Sequence, residues 1–144
     1  GELVGVDLSP RMLAKASLRG NYDTLDQASI LQSLSSHSDV DVIAASDSIP
    51  YTGDLSQAFK AAKKALKGGG LFGLTVDALE HAKDQGGAKG DWALQTTGRY
   101  AHSLPYLLKL ARQASFEVHY SATEEVRWVG GRPVLGHVVV LRKA

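Results

Sequence analysis

The sequence predicts an α/β fold whose sheet is mostly parallel and turns antiparallel at its carboxyl-terminal edge. Three observations predict it. Through the first two thirds of the chain, short apolar runs alternate with amphipathic segments of helical length, the pattern of βαβ units. The last third holds consecutive strand-like runs with no helical period between them, which suits antiparallel neighbours. Between two of those runs, Gly130-Gly131 supplies a tight connection.

Leu3 to Val6 reads as a short buried strand. Ser9 can cap the following helix by accepting a bond from a free backbone N–H, and Pro10 suits its first position. Met12, Leu13, Ala16 and Leu18 supply the inner face of that helix, and Gly20-Asn21 ends it. Tyr22 to Ile30 admits two readings, a short strand weakened by Asp23, Asp26 and Gln27, or the start of a helix over Leu25 to Leu34. Ser33 to Ser38 reads as a polar turn, and Val40 to Ala45 as a central strand rich in β-branched residues. Asp54-Leu55-Ser56-Gln57 has capping-box spacing, opening a helix that continues through Ala58, Phe59, Ala62, Ala65 and Leu66. Lys60, Lys63, Lys64 and Lys67 fall mostly on its other face or near its carboxyl end, where cations are favoured. Gly68-Gly69-Gly70 stops this helix, and Leu71 to Val76 follows as a strand. Ala82 to Asp91 lacks an apolar period and reads as a mobile loop. Ser103 and Pro105 open a third helix that buries Leu107, Leu108, Leu110 and Ala111. Phe116 to Ser121, Glu124 to Val129 and Val134 to Leu141 complete the chain as strands.

At 144 residues the chain is long enough for one domain with a sizeable core. Sixteen Lys+Arg against fifteen Asp+Glu leave a formal net charge of +1, which gives no general pull toward nucleic acid or an anionic membrane. The absence of cysteine excludes disulfides, thiolate metal sites and a cysteine nucleophile. His37, His81, His119 and His137 are scattered without ligand spacing, so no metal is expected. No apolar stretch approaches the roughly 20 residues of a membrane span, and no signal peptide is visible, so a cytoplasmic setting is the expectation. The one methionine, Met12, lies inside a predicted helix. Gly1 is therefore not a translation start; the chain is an excerpt or carries a tag remnant, and the excerpt is the reading adopted.

The opening segment carries the most chemistry. In Leu3-Val4-Gly5-Val6-Asp7-Leu8-Ser9-Pro10-Arg11-Met12-Leu13 an apolar run ends in an aspartate and turns at once into a helix. In nucleotide-binding α/β folds such an aspartate ends a strand and holds a ribose. The glycine-rich strand–loop–helix expected about twenty residues earlier does not precede it in this sequence. Gly68-Gly69-Gly70 cannot stand in, because it follows a helix and precedes a strand.

Three further segments occur in order after Gly5-Val6-Asp7-Leu8-Ser9-Pro10-Arg11-Met12-Leu13. They are Asp41-Val42-Ile43-Ala44-Ala45-Ser46-Asp47, Ala65-Leu66-Lys67-Gly68-Gly69-Gly70-Leu71-Phe72 and Gly98-Arg99-Tyr100-Ala101-His102-Ser103. Together the four resemble the class I S-adenosylmethionine-dependent methyltransferases, especially those found fused to tetratricopeptide repeats. The resemblance runs from Leu3 to Leu141. It implies a Rossmann-like, mostly parallel sheet with an antiparallel carboxyl-terminal edge. Residues 1–144 would form one domain lacking the family's first strand, first helix and glycine-rich motif. That strand is central in the family, so without it the Leu3–Val6 strand should be severed from the Val40–Ala45 strand or pair with it directly.

The resemblance implies S-adenosylmethionine as cofactor and a small-molecule or protein methyl acceptor as partner. Asp7 would accept hydrogen bonds from the ribose hydroxyls, since both oxygens of a carboxylate are acceptors. Leu8 and Met12 would wall the adenine. Ala28 and Ser29 occupy the place that reads the adenine amino group, where the family often has an alanine-aspartate pair. Asp47 and Ser48 would face the methionine moiety and the transferring methyl, Asp47 as a catalytic candidate. Arg99 and Tyr100 lie on the substrate side. His102, whose ordinary pKa lies near neutrality, is the general-base candidate.

Each assignment has a plainer competitor. Asp7 and Asp47 could be strand-end residues, His102 a structural histidine, Arg99 a salt-bridge partner, and Asp54 a helix cap. The lysine face is a solvated surface, and Trp92 and Trp128 read as lid and core residues. The leading reading is the carboxyl-terminal majority of a methyltransferase. Its rival is a catalytically silent module that binds or self-assembles, as a homodimer through an exposed sheet edge. A nicotinamide dehydrogenase piece shares the acidic residue after a strand, but the 98–103 and 68–72 segments do not suggest one.

Overall fold

The computed structural model describes residues 1–46, 48–82 and 90–144. Strand β1 (Val4–Asp7) pairs in parallel with β2 (Thr24–Gln27), Val4 against Thr24 through to Asp7 against Gln27. The ambiguous 22–30 segment is the strand of the two alternatives; the helix begins only at its end, as α2 (Ile30–Ser35), and takes in the first residues of the expected 33–38 turn. Ser29 starts α2 with a full capping box, its Oγ accepting from the Gln32 N–H while the Gln32 side chain accepts from the Ser29 N–H. Helix α1 (Pro10–Arg19) joins β1 to β2. Ser9 Oγ accepts from the Met12 N–H at 3.3 Å, and Gly20 closes the helix at φ +70. Its expected inner face is only partly realised. Leu13 and Ala16 are half-buried, whereas Met12 and Leu18 point outward, 51% and 89% exposed.

The larger sheet is organised on β4 (Leu66–Ala78). β3 (Val40–Ala45) lies parallel along its first part and β6 (Tyr100–His102) parallel along its end. β8 (Arg132–Lys143) runs antiparallel on the other edge, followed outward by β7 (Phe116–Val129). The short β5 (Trp92–Leu94) pairs antiparallel with β6. The antiparallel carboxyl-terminal edge is as the sequence predicts. β5 and β6 are additions, too short to show a two-residue alternation. The two expected strands over 116–129 are one, broken in register between Val118/Tyr120 and between Glu125/Arg127. Such bulges interrupt the alternation that sequence reading follows. Gly130 and Gly131, at φ +57 and +74, turn the β7–β8 hairpin.

The glycine triplet has a different place from the one expected. It lies within β4, which starts directly after helix α3 (Ser56–Ala65), and not between a helix and a strand. Val40 faces Leu66 but Val42 already faces Leu71, so the glycines form an irregular excursion in the ladder, with Gly69 at φ +78. The capping box at Asp54 is also replaced. Leu55 is the N-cap and makes no side-chain bond, while Asp54 Oδ1 accepts from the N–H of Ser56, the first residue of α3, at 2.9 Å.

One face of the large sheet carries α3 and α4 (Leu104–Gln113). Phe59 meets Phe72 edge-on with centroids 5.6 Å apart, and Phe72 meets Phe116 at 6.2 Å. Around them Ile43, Leu74, Val76, Leu107, Leu110, Val139 and Leu141 are buried in one cluster. On the opposite face Val42 is 60% exposed. Trp128, expected in the core, is 63% exposed on β7.

The β1–β2 pair and the large sheet are separate sheets, so of the two outcomes expected for Leu3–Val6 and Val40–Ala45, the strands are severed and do not pair. Helix α2 is the principal bridge, packing on α3 and against β1. No helix of the described residues is long and apolar enough to cross a membrane.

Gly136 on β8 sits where a Cβ would lie 2.5 Å from both the Val76 carbonyl oxygen and a Val126 methyl. Gly136→Ala should therefore lose about 1–3 kcal/mol of stability in urea unfolding. Gly68→Ala, with no atom within 4 Å of the added methyl, should stay within about 1 kcal/mol of the parent. Equal effects would refute this packing of β4 on β8.

Candidate functional site

Two groups of residues stand out, one of them made of predicted site residues and the other containing only Arg99 of those. The first is at β1 and β2. Asp7 Oδ1 accepts from the Ser9 N–H at 2.8 Å, a turn that fixes the carboxylate at the strand end. The Ala28 N–H donates to the Asp7 carbonyl at 3.2 Å, and Gln27 Nε2 donates to the Leu8 carbonyl at 3.3 Å. Asp7, Leu8, Ala28 and Ser29 are thereby held side by side, with Met12 on the first turn of α1. Leu8 is 67% exposed, so two bare apolar side chains flank the half-buried carboxylate. That combination fits a diol beside a flat apolar ring. Ser29 fits less well as a reader of an amino group, because its Oγ already serves as the α2 cap.

Ser48 follows β3 and is exposed, in the other sheet from Asp7. Asp47, expected beside it, lies outside the described residues, as does most of the 82–91 loop. No hydrogen bond among the described residues links Ser48 to the β1–β2 group.

The second group surrounds a cavity of about 450 Å³ on the face of the large sheet opposite α3 and α4. Its wall includes Ser46 after β3, Thr75 and Asp77 on β4, Arg99 before β6, and Glu124, Glu125 and Arg127 on β7. Asp77 is 3% exposed. Its Oδ2 accepts from Arg127 Nη2 at 2.7 Å and Gln95 Nε2 at 3.0 Å, with Arg99 Nε 3.5 Å away. Burial pushes the Asp77 pKa up. The hydrogen bonds and the two guanidinium charges outweigh that and hold it below the ordinary carboxylate value. Arg99 also lies over the Tyr51 ring, 5.7 Å from its centroid.

Arg99, expected on the substrate side, lines this cavity. It is also the salt-bridge partner named as its plainer alternative. Tyr100 is half-buried and its N–H donates to the Pro50 carbonyl at 2.6 Å. Asp77 and Arg127 were missed. Asp77 had a signal, since it ends the apolar run Leu71–Val76 just as Asp7 ends Leu3–Val6. Arg127 had none, because only the bulge at 125/127 brings it over Asp77.

His102 requires a correction. The expected general base is completely buried, and its Nε2 lies 3.0 Å from the Thr52 carbonyl and 2.9 Å from the Gly53 carbonyl. The Nε2–H is spent on the backbone of the 46–55 loop, and the ring stacks on Tyr106 at 6.2 Å. Trp92 packs on the same loop, where a Cβ on Gly53 would meet its ring at 2.4 Å and Tyr106 lies 5.2 Å away. Burial lowers the His102 pKa, partly offset by the Gly53 and Thr52 carbonyls. This is the geometry of a pin between β6 and that loop. No groups among the described residues are arranged to hold a metal ion.

A family model described as a methyltransferase domain matches residues 1–74, just over half of the 144. Among curated proteins none matches the chain. Many solved structures share the fold. A SAM-dependent methyltransferase from Methanosarcina mazei superposes with TM-score 0.73 at 21% identity, covering 99% of this chain and 82% of its own. The N-methyltransferase NodS from Bradyrhizobium japonicum, in complex with S-adenosyl-L-homocysteine, gives 0.70 at 14% identity, covering 99% and 66%. The cyclase SpnF gives 0.74 at 17%, covering 99% and 66%. At these identities the likeness is one of fold.

A histidine buried neutral takes up its proton more readily in the unfolded chain. Its contribution to stability is complete above the ordinary value of 6.5 and is lost as pH falls from there toward the lower folded-state pKa. His102→Gln should therefore lower the melting temperature at pH 7.5 and flatten its decline between pH 6.5 and 5. An unchanged slope would show that His102 is not the group responsible.

Proposed function

The chain belongs to the methyltransferase domain family, and on that premise we propose that it serves S-adenosylmethionine-dependent methyl transfer. The observation that carries this reading is the β1–β2 end. There the Asp7 carboxylate is fixed by the Ser9 N–H and flanked by exposed Leu8 and Met12. In this reading Asp7 accepts hydrogen bonds from the ribose hydroxyls, and Leu8, Met12 and Ala28 wall the adenine. Ser29 contributes mainly by starting α2 beside them. Ser48 faces the reacting end, where the family resemblance would also put Asp47. The cofactor, when bound, supplies an electrophilic methyl on a sulfonium.

The protein's own contribution is placement. It holds the acceptor in the cavity beside Ser46, catalysis by proximity and orientation. Arg99 contacts the acceptor there, with Tyr100 following it on β6 and supporting the loop through its bond to Pro50. His102 positions the 46–55 loop and takes no proton.

A second reading is a catalytically silent module that self-associates. The open edges of β1 and β3 in two separate sheets favour it. Sedimentation over a hundredfold concentration range distinguishes the cases; a monomer throughout would sink self-association.

Isothermal titration with S-adenosylmethionine tests the leading reading. Saturable binding is expected. Asp7→Asn should weaken it about 10- to 100-fold, the loss of about 1.5–3 kcal/mol from charge-assisted hydrogen bonds. Absence of binding, or equal affinity for Asp7→Asn, would overturn the assignment.

A further inference from the structure

We infer that Thr123 is an activated hydroxyl, the nucleophile of a Thr123–His137–Glu80 relay that accepts the acyl group of an uncharged, reactive carboxylic ester. The inference does not depend on the methyl-transfer reading. Thr123 on β7 pairs directly with His137 on β8, and His137 pairs with Val76 on β4. Directly opposed residues share a face of a sheet, so the three lie on the face that carries α3 and α4, where Val76 is part of the core. Glu80 comes just after β4, in the short helical turn Leu79–His81. Its Oε2 lies 3.1 Å from His137 Nε2 and accepts from the N–H of Leu104, the first residue of α4, at 3.3 Å. On the other side of the ring, His137 Nδ1 lies 2.9 Å from Thr123 Oγ1.

The proton positions follow from these partners. Burial pushes the Glu80 pKa up, but its own backbone N–H, His137 and the Leu104 N–H outweigh that and hold it below the ordinary carboxylate value. Glu80 is therefore ionised and only accepts, so His137 Nε2 carries the ring proton. In the neutral ring Nδ1 is then bare, and it accepts from the Thr123 hydroxyl. The histidine side chain is 2% exposed, whereas Thr123 is exposed. The base is shielded, and the hydroxyl oxygen keeps its lone pairs for an incoming carbon. Nucleophile, base and orienting carboxylate in this order are what activates a serine or threonine hydroxyl. His102 differs, because its bonded nitrogen meets only carbonyl oxygens. In the step, Oγ1 bonds to the ester's carbonyl carbon, its proton passes to Nδ1, and the bond to the leaving oxygen breaks. Glu80 stabilises the imidazolium, and the leaving oxygen takes the proton from Nδ1. Water deprotonated by the same nitrogen then releases the acid, and Oγ1 recovers its hydrogen. Glu124 and Glu125 directly follow Thr123; their charge disfavours an anionic donor and selects an uncharged one.

The probe is p-nitrophenyl acetate, mixed with the chain in the absence of any methyl donor. Peptide mass spectrometry locates the acetyl group while absorbance follows p-nitrophenolate. Thr123 should be acetylated, with a burst of p-nitrophenolate that matches the protein in amount. Thr123→Val, at an exposed position where folding is not at stake, should abolish the burst, and Thr123→Ser should retain it. Glu80→Gln keeps the shape and removes the charge; it should slow acetylation of Thr123 by roughly tenfold or more, within the range of general-base assistance. Ring-nitrogen NMR supplies a second readout for Glu80. His137 should carry its proton on Nε2 alone in the parent and on either nitrogen in Glu80→Gln, because an amide donates as well as accepts. Far-UV circular dichroism confirms that the variants are folded. Acetyl groups found only on lysines or the amino terminus overturn the proposal. So does a parental rate in Glu80→Gln, or an Nδ1-protonated His137 in the parent. S-adenosylmethionine binding is untouched by any of these outcomes, so this proposal and the methyl-transfer reading fail separately.

Discussion

A single buried carboxylate holds the cavity end of the large sheet together. Asp77 closes β4, and through one oxygen it collects Arg127 from β7, Gln95 from the β5–β6 connection and Arg99 from the start of β6. A carboxylate so buried is costly unless its partners are well placed. Here they come from three stretches that otherwise have weak claims on one another. β6 meets β4 over only the pairs Asp77–Ala101 and Ala78–His102. The far end of β7 does not touch β4 through its ladder, since β8 lies between them. Asp77 thus determines where the cavity wall stands.

The remainder of the architecture follows from β4 as the strand with most neighbours. Its alternation sends Phe72, Leu74 and Val76 into the aromatic core with α3 and α4, and Thr75 and Asp77 to the opposite face. A parallel sheet normally carries helices on both faces; here one face is helix-covered and the other holds the polar cavity. The loop above β3 is drawn down by His102 and Tyr106, which between them engage Thr52, Gly53, Asp54 and Leu55. Tyr106, raised to about 12 chiefly by burial, keeps its proton for that purpose at every physiological pH. Structural polar groups lie directly behind the site, and sequence patterns do not tell them from catalytic ones.

The parts legible in the sequence are those where local chemistry and tertiary structure agree. Ser9 and Ser103 cap their helices as their types suggest, and Gly130-Gly131 turns its hairpin. Val40–Ala45 and the last strand announce themselves by β-branching. Asp7, Leu8 and Ala28 stand side by side because parallel pairing of β1 with β2 aligns their ends. Illegible were the features set by distant contact. The strand β2 contains Asp26 and Gln27 and exists through its backbone bonds to β1. The glycine triplet looked like a stop and is an irregular piece of β4, a matter of register with β3. His102 looked titratable, and only the fold reveals two carbonyl oxygens against its ring.

The separation into two sheets gives the molecule a joint. The end that holds Asp7 and the end that holds Asp77 are built on different ladders, and Leu34 on α2 is the buried tooth that sets one against the other. The gap that a methyl group would have to cross is then a dimension of the α2–α3 contact and of no residue that touches either ligand. On the methyl-transfer reading, shaving Leu34 would leave the two candidate sites intact yet displaced from one another, and such reactions are sensitive to displacements of about 1 Å. On that reading, the spacing of the two sites would then depend on a helix of only six residues.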